Sequence, residues 1–132
     1  MIDVVVAVIQ GDDGRVFVCQ RQAHQSFAGY WEFPGGKQEQ GEDEATAMRR
    51  ELQEELAIQV TQMMPVLSIP TEQAGIMLCL HIWLVTQWIG QASGAEGQAC
   101  AWVTLEQLAQ LTLPPANVVL VEALIAGDIG VS

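Results

Sequence analysis

Glu51, Glu54 and Glu55 could do chemistry together if the segment around them is helical. At roughly 100° per residue they share about a third of the helix circumference. As bare neighbours in water they repel by a few tenths of a kcal/mol, roughly, per pair. The apolar stripe Ala45, Met48, Leu52 and Leu56 runs beside them, so they lie at the edge of a buried face and are partly desolvated. Carboxylates so placed need a cation. Either Arg49 and Arg50 supply it, or a divalent ion does, carboxylate oxygens being hard ligands suited to Mg²⁺ or Mn²⁺. The pair Gly35-Gly36 allows backbone conformations closed to other residues, close approach of a ligand, and a bare carbonyl that can join carboxylates around a metal. Taken alone, the same pair is an ordinary tight turn.

The chain has 132 residues and a formal charge of −11, with half of its residues hydrophobic. That length suits one domain, expected over 1–132, with a core large enough to need no disulfide or structural metal. Five basic residues cannot build the basic surface that binding to nucleic-acid backbones requires. Of the sixteen acidic residues, Glu32, Glu39, Glu42, Asp43, Glu44, Glu51, Glu54 and Glu55 lie within residues 32–55. They are a solvated acidic face, or a site where divalent ions invert the local charge and attract a polyphosphate. Cys19, Cys79 and Cys100 show no CxxC spacing and read as small buried residues in a reducing compartment. With no basic leader and no apolar run long enough to span a bilayer, a cytoplasmic protein without membrane association is expected, as monomer or homodimer. His24 and His81 lack a His or Cys partner at zinc-ligand spacing, and no GxSxG or P-loop occurs.

The elements that must position the glutamates follow from pattern. Val4–Ile9 is a β-branched run that reads as a buried strand, Gly11–Gly14 as a turn, and Arg15–Cys19 as the returning strand of a hairpin. Residues 21–30 read as a polar loop and 43–56 as the glutamate helix. A second strand pair is expected over 58–67 and 76–85, the latter apolar on both sides and therefore central. Ala101–Val103 reads as a short strand, Thr104 and Gln107 as a capping box, and Pro114-Pro115 as the start of a last helix ending near Gly127. Strands with an early and a late helix point to an α/β domain with a mixed sheet between helices.

Gly36 is followed after five residues by Glu42, and after seven more by Arg50-Glu51-Leu52, then Gln53, Glu54-Glu55, Leu56, Ala57 and Ile58. This run resembles the Nudix signature, departing only at Ala57, where a glycine is usual. Phe27–Lys37, Gly90…Glu96-Gly97-Gln98 and Leu113–Asn117 extend the likeness to MutT-type members, the sanitising nucleotide pyrophosphohydrolases. The resemblance implies an α/β/α sandwich with a mixed central sheet and a Mg²⁺ cofactor, Mn²⁺ being possible. The substrate it implies is a small-molecule nucleotide: a purine (deoxy)nucleoside triphosphate, oxidised guanine forms such as 8-oxo-dGTP included. It assigns the Gly35 carbonyl, Glu51, Glu54 and Glu55 to the metal, with Glu96 as a further ligand or base; Glu51 or Glu96 would be the catalytic proton acceptor. Arg21, Glu32, Phe33, Pro34, Gly35 and Asn117 would meet the nucleotide, Arg21 at phosphate and Asn117 at the base. Gly36, Glu42 and Arg50 would support the site. Taken alone, Asn117 could equally cap its helix, Phe33 could be core, and Glu96 could be a surface residue. Residues 67–76 hold no aromatic and no arginine, where close MutT-type relatives usually offer both, so base preference stays open between purine and a pyrimidine such as CTP. A non-catalytic nucleotide-binding module is the remaining alternative.

Overall fold

The computed structural model describes residues 1–127 and Ile129; positions 128 and 130–132, inside the expected domain 1–132, lie outside the described residues. The β-branched run forms β1 (Ile2–Ile9), which occupies both of its edges. On one side it pairs in parallel with β6 (Ile76–Ile89) from Ile2↔Leu78 to Ile9↔Val85. On the other it pairs antiparallel with β4 (Gly35–Lys37), Val6 opposite Gly35 and Val5 opposite Gly36. A long hairpin partner, β5 (Gln59–Gln73), completes a mixed sheet of order β4-β1-β6-β5. β5 and β6 are both longer than periodicity predicts, and meet at a turn where Ala74 and Gly75 both have positive φ.

The expected hairpin between β1 and β2 (Val16–Gln20) starts and then fails. Gly11 N–H donates to Arg15 O and Gln10 bridges Val16, but there the pairing ends. Because β1 has no free edge, β2 turns away and joins β3 (Trp31–Glu32) and β7 (Cys100–Val103) in a separate antiparallel sheet of order β3-β2-β7. In that sheet Cys19 lies opposite Cys100, their free thiols 3.0 Å apart. Of the three cysteines expected to be buried, only Cys19 is fully so.

Helices cover both faces. The glutamate helix α1 (Glu44–Leu56) is capped by Asp43, whose carboxylate accepts the Thr46 N–H at 2.7 Å. It buries Ala47, Met48, Leu52 and Leu56 against Val5, Ala7 and Ile9; Ala45, expected in that stripe, is only half-buried. On the opposite face, the short α2 (Leu105–Leu108), with the Thr104–Gln107 capping box, and α3 (Pro115–Ile125) pack Leu108, Leu120 and Leu124 against Val6, Val8, Leu80 and Ile82. Strand β6 is central, as both its apolar sides suggest. Its Leu80, Ile82 and Leu84 are buried, whereas Cys79, His81 and Trp83, on the α1 side, are only half-covered.

Candidate active site

Where β4 runs beneath α1, the two glycines leave room for nothing else. A Cβ on Gly35, whose φ is +152°, would stand 2.0 Å from the Val5 carbonyl oxygen. A Cβ on Gly36 would stand 2.5 Å from the Glu51 carboxylate, so that carboxylate lies directly against bare backbone. Glu55 reaches the same glycines, which form a strand rather than the tight turn the pair suggests in isolation, its Oε2 accepting the Gly35 N–H at 3.2 Å. Glu54 is more exposed and lies on the Arg50 side.

Arg50 divides itself between these groups. Its Nε and Nη2 form a fork on the two oxygens of Glu42, at 2.8 and 2.9 Å. Nη1 donates to Glu51 Oε1 at 2.9 Å, and Nη2 also reaches the Lys37 carbonyl at 3.2 Å. The guanidinium holds the Glu42 carboxyl at about 2, well below the usual range. Arg49, the other cation considered from sequence, is exposed. Arg50 therefore satisfies Glu42 and one oxygen of Glu51, while Glu55 accepts no cation among the described residues. Burial pushes the Glu55 carboxyl up to about 8, with Glu32, Glu51 and Glu96 adding like-charge repulsion that the Gly35 N–H only partly offsets. Burial also raises Glu51, against the pull of Arg50. Such carboxylates fit a divalent cation in both donor type and unmet charge.

These groups line one wall of a cavity of about 520 Å³, a size suited to a small molecule. Arg21, Glu32, Phe33, Gly35, Gly36, Glu51, Glu55, Glu96 and Asn117 all line it. Glu96 sits on an exposed loop that is pinned to the end of α1: Ala95 N–H and the Gln98 side-chain amide both donate to the Glu55 carbonyl. Asn117 does not cap α3; its Oδ1 accepts the Phe33 N–H at 3.0 Å, leaving the amide nitrogen for the cavity. Phe33 is a core residue with its edge at the cavity. Arg21 is engaged already, with Nη1 2.6 Å from Glu32 and Nε on the Ser26 carbonyl, so it reaches the cavity as half of an ion pair rather than as a free cation.

Pro34 departs from expectation. It is buried and not among the cavity-lining residues, and its carbonyl accepts the Ala7 N–H; between two strands bound to β1 and β2 it has no path to the opening. Sequence reasoning missed the far, apolar end of the cavity, built by Ile2, Val4, Leu78 and Leu80 with Gln73 above them. Alternation along the two parallel strands already put these side chains on one face; only the pairing of β1 with β6 shows that α3 leaves its end uncovered. Gln73 is fixed by accepting the Ala116 N–H at the start of α3.

The helix exit takes the shape the missing glycine would have eased. Ala57 adopts φ 57°, ψ 38°, and its N–H reaches the Gln53 and Leu52 carbonyls.

Residues 2–124 match the NUDIX domain family. The chain is 41% identical over 126 residues to an Escherichia coli (strain K12) protein named CTP pyrophosphohydrolase, covering 96% of this chain and 93% of that one. It is 34% identical over 125 residues to an 8-oxo-dGTP diphosphatase of Haemophilus influenzae, covering 95% and 92%. Among solved structures, one from a study of MutT from Aliivibrio salmonicida and Vibrio cholerae superimposes with a TM-score of 0.83 at 38% identity, covering 95% of this chain and 97% of that one.

Proposed function

Since this chain belongs to the NUDIX domain family and is a Nudix hydrolase, we propose that it cleaves (deoxy)nucleoside triphosphates to a nucleoside monophosphate and pyrophosphate, with Mg²⁺ as cofactor and Mn²⁺ as a substitute. The observation that carries this reading is the packing of Glu51 and Glu55 against Gly35 and Gly36 of β4 in the wall of a cavity whose far end is apolar. Glu51, Glu54, Glu55 and Glu96, with the Gly35 carbonyl, are the groups that would hold metal. Once bound, divalent metal neutralises phosphate oxygens and lowers the pKa of a bound water.

The chain's own residues supply the rest. Arg50 holds Glu51 in place through Oε1 and leaves Oε2 free, so Glu51 can accept a proton; Glu96 faces the same cavity from the pinned loop and is the other candidate. The phosphates lie along the glutamate wall, with the Arg21–Glu32 pair beside them. The base occupies the apolar end, where Asn117 offers its amide nitrogen and Phe33 its ring edge. Among bases we favour purines, oxidised guanine included. The pyrimidine reading has its own support: Gln73, Ala74 and Ile76 line the hairpin side of the cavity with neither an arginine nor an aromatic ring, and one relative is named for CTP. The −11 charge argues against nucleic acid as partner, and three free thiols fit a reducing cytoplasm.

The test is pyrophosphate release from a panel of nucleotides with and without Mg²⁺. Release should require metal and vanish in Glu54→Gln and Glu55→Gln. Activity surviving both substitutions contradicts the metal assignment, and silence across the whole panel would leave a nucleotide-binding module.

A further inference from the structure

On the α1 side of the four-stranded sheet, strand alternation places side chains facing away from Ile2, Val4, Leu78 and Leu80, which build the apolar end of the cavity. Asp3 on β1 lies in register opposite Cys79 on β6, and His81 follows two residues on, so all three share that side. One ligand atom from each, an aspartate oxygen, a cysteine sulfur and an imidazole nitrogen, lie within 4.8 Å of one another. None of the three lines the cavity. We propose that Asp3, Cys79 and His81 form a second metal site, for a zinc-class divalent cation, separate from the glutamate site of α1.

The chemistry of the set separates it from that site. Mg²⁺ is held by oxygen alone, whereas sulfur, nitrogen and oxygen together suit Zn²⁺. Tetrahedral Zn²⁺ with the usual bond lengths separates an imidazole nitrogen from a carboxylate oxygen by about 3.3 Å, and from a sulfur by about 3.6 Å. His81 Nε2 and Asp3 Oδ1 now stand 2.9 Å apart, so they must part by roughly half an ångström. Asp3 can give that distance, since its side chain is 55% exposed. The opposite ring nitrogen, Nδ1, is already oriented by Ser68 Oγ at 2.9 Å, with Glu44 Oε2 at 3.6 Å. Glu44 is in turn fixed by the Trp83 indole N–H at 3.0 Å. A hydroxyl or carboxylate on the second nitrogen is how metal-binding histidines are held in tautomer and plane. A thiolate, a carboxylate and a neutral imidazole carry −2 in total, which balances the ion. On binding, the Cys79 S–H bond breaks, a sulfur–metal bond forms, and the proton goes to buffer. Water completes the fourth position. The ion would tie the start of β1 to β6 and, through His81, brace the first turn of α1.

Cobalt(II) is the probe, because a thiolate bonded to it gives a near-ultraviolet charge-transfer band that oxygen ligands cannot give. The metal-free full chain is titrated with Co²⁺ under excess Mg²⁺, which keeps the glutamates occupied. The expected result is a one-to-one thiolate band that Zn²⁺ abolishes by displacement. Cys79→Ser should remove the band, Cys19→Ser should keep it, and Asp3→Asn and His81→Gln should weaken binding by about tenfold or more. Mg²⁺-dependent hydrolysis, or far-ultraviolet circular dichroism should the hydrolase reading fail, reports that each variant is folded. A wild-type titration with no thiolate band overturns the proposal, as does a band that survives in Cys79→Ser. If Cys79→Ser does not fold, Asp3→Asn carries the comparison, and affinity equal to wild type overturns it.

Discussion

In the absence of metal, replacing Glu55 by glutamine should stabilise the protein, and the gain should grow with pH. The Glu55 carboxyl rises from 4.5 for an ordinary glutamate to about 8 because it is buried, with further acidic groups nearby. Between those values the folded chain keeps a proton that the unfolded chain has lost, so stability falls as pH rises through that window. From pH 6 to pH 9 the full linkage is about 2.7 kcal/mol, and solvent screening around a partly accessible carboxylate reduces it to about 1–1.5 kcal/mol. For a chain of this size that is about 3–6 °C in Tm. Glutamine keeps the Oε acceptor for the Gly35 N–H, so the folded geometry needs no change. The assay is thermal unfolding of wild type and Glu55→Gln in chelator at both pH values, with the difference in Tm as readout. That difference should widen by several degrees toward pH 9. Saturating Mg²⁺ should then reverse it, because only the wild type gains full ligand stabilisation. A difference that does not change with pH refutes the argument that the carboxylate is held against its charge.

Three further outcomes follow from the same geometry. Arg50→Lys cannot fork onto Glu42 while holding Glu51, so kcat at saturating Mg²⁺ should fall by about 10–100-fold, the usual effect of losing a group that orients a metal ligand; unchanged kcat would show that Glu51 needs no positioning. Asn117→Ala leaves the Phe33 N–H without its acceptor and removes the amide from the base end, so KM should rise for the preferred base while cleavage of other triphosphates continues. Equal loss on all bases would contradict a reading role. Ala57→Gly should raise stability by about 0.5–1 kcal/mol in urea unfolding, since glycine adopts φ 57° without strain; no gain would mean that the left-handed exit costs nothing here.

What the sequence made legible is what local rules govern. The α1 segment announces itself by its cap, its apolar stripe and its glutamates, and the structure gives it within a residue of the expected bounds. The capping box at Thr104 and the proline start of α3 are equally local. The hairpin of β1 and β2 was misread because its turn forms as its residues dictate, yet β6 and β4 compete for the edges of β1 from 70 and 30 residues away, roughly. The same long-range pairing hid the apolar end of the cavity, and it hid Asp3 beside Cys79 and His81. From spacing alone His81 lacked partners; one of them stands two residues away on the same strand face and the other on a different strand. Of the expected nucleotide contacts, Pro34 was carried along by its neighbours in the motif, and Arg21 came without notice that Glu32 would engage it.

The loop bearing Glu96 is fastened to the end of α1 at two adjacent peptide oxygens: the Glu55 carbonyl receives both the Ala95 N–H and the Gln98 amide, and the Leu56 carbonyl receives the Ser93 N–H. The two acidic groups thus move as parts of one assembly: a shift in the last turn of the helix carries the loop with it, and a residue inserted between 91 and 98 pulls on the helix end. Tolerance to length change, ordinarily the privilege of an exposed loop, should be withheld from this one.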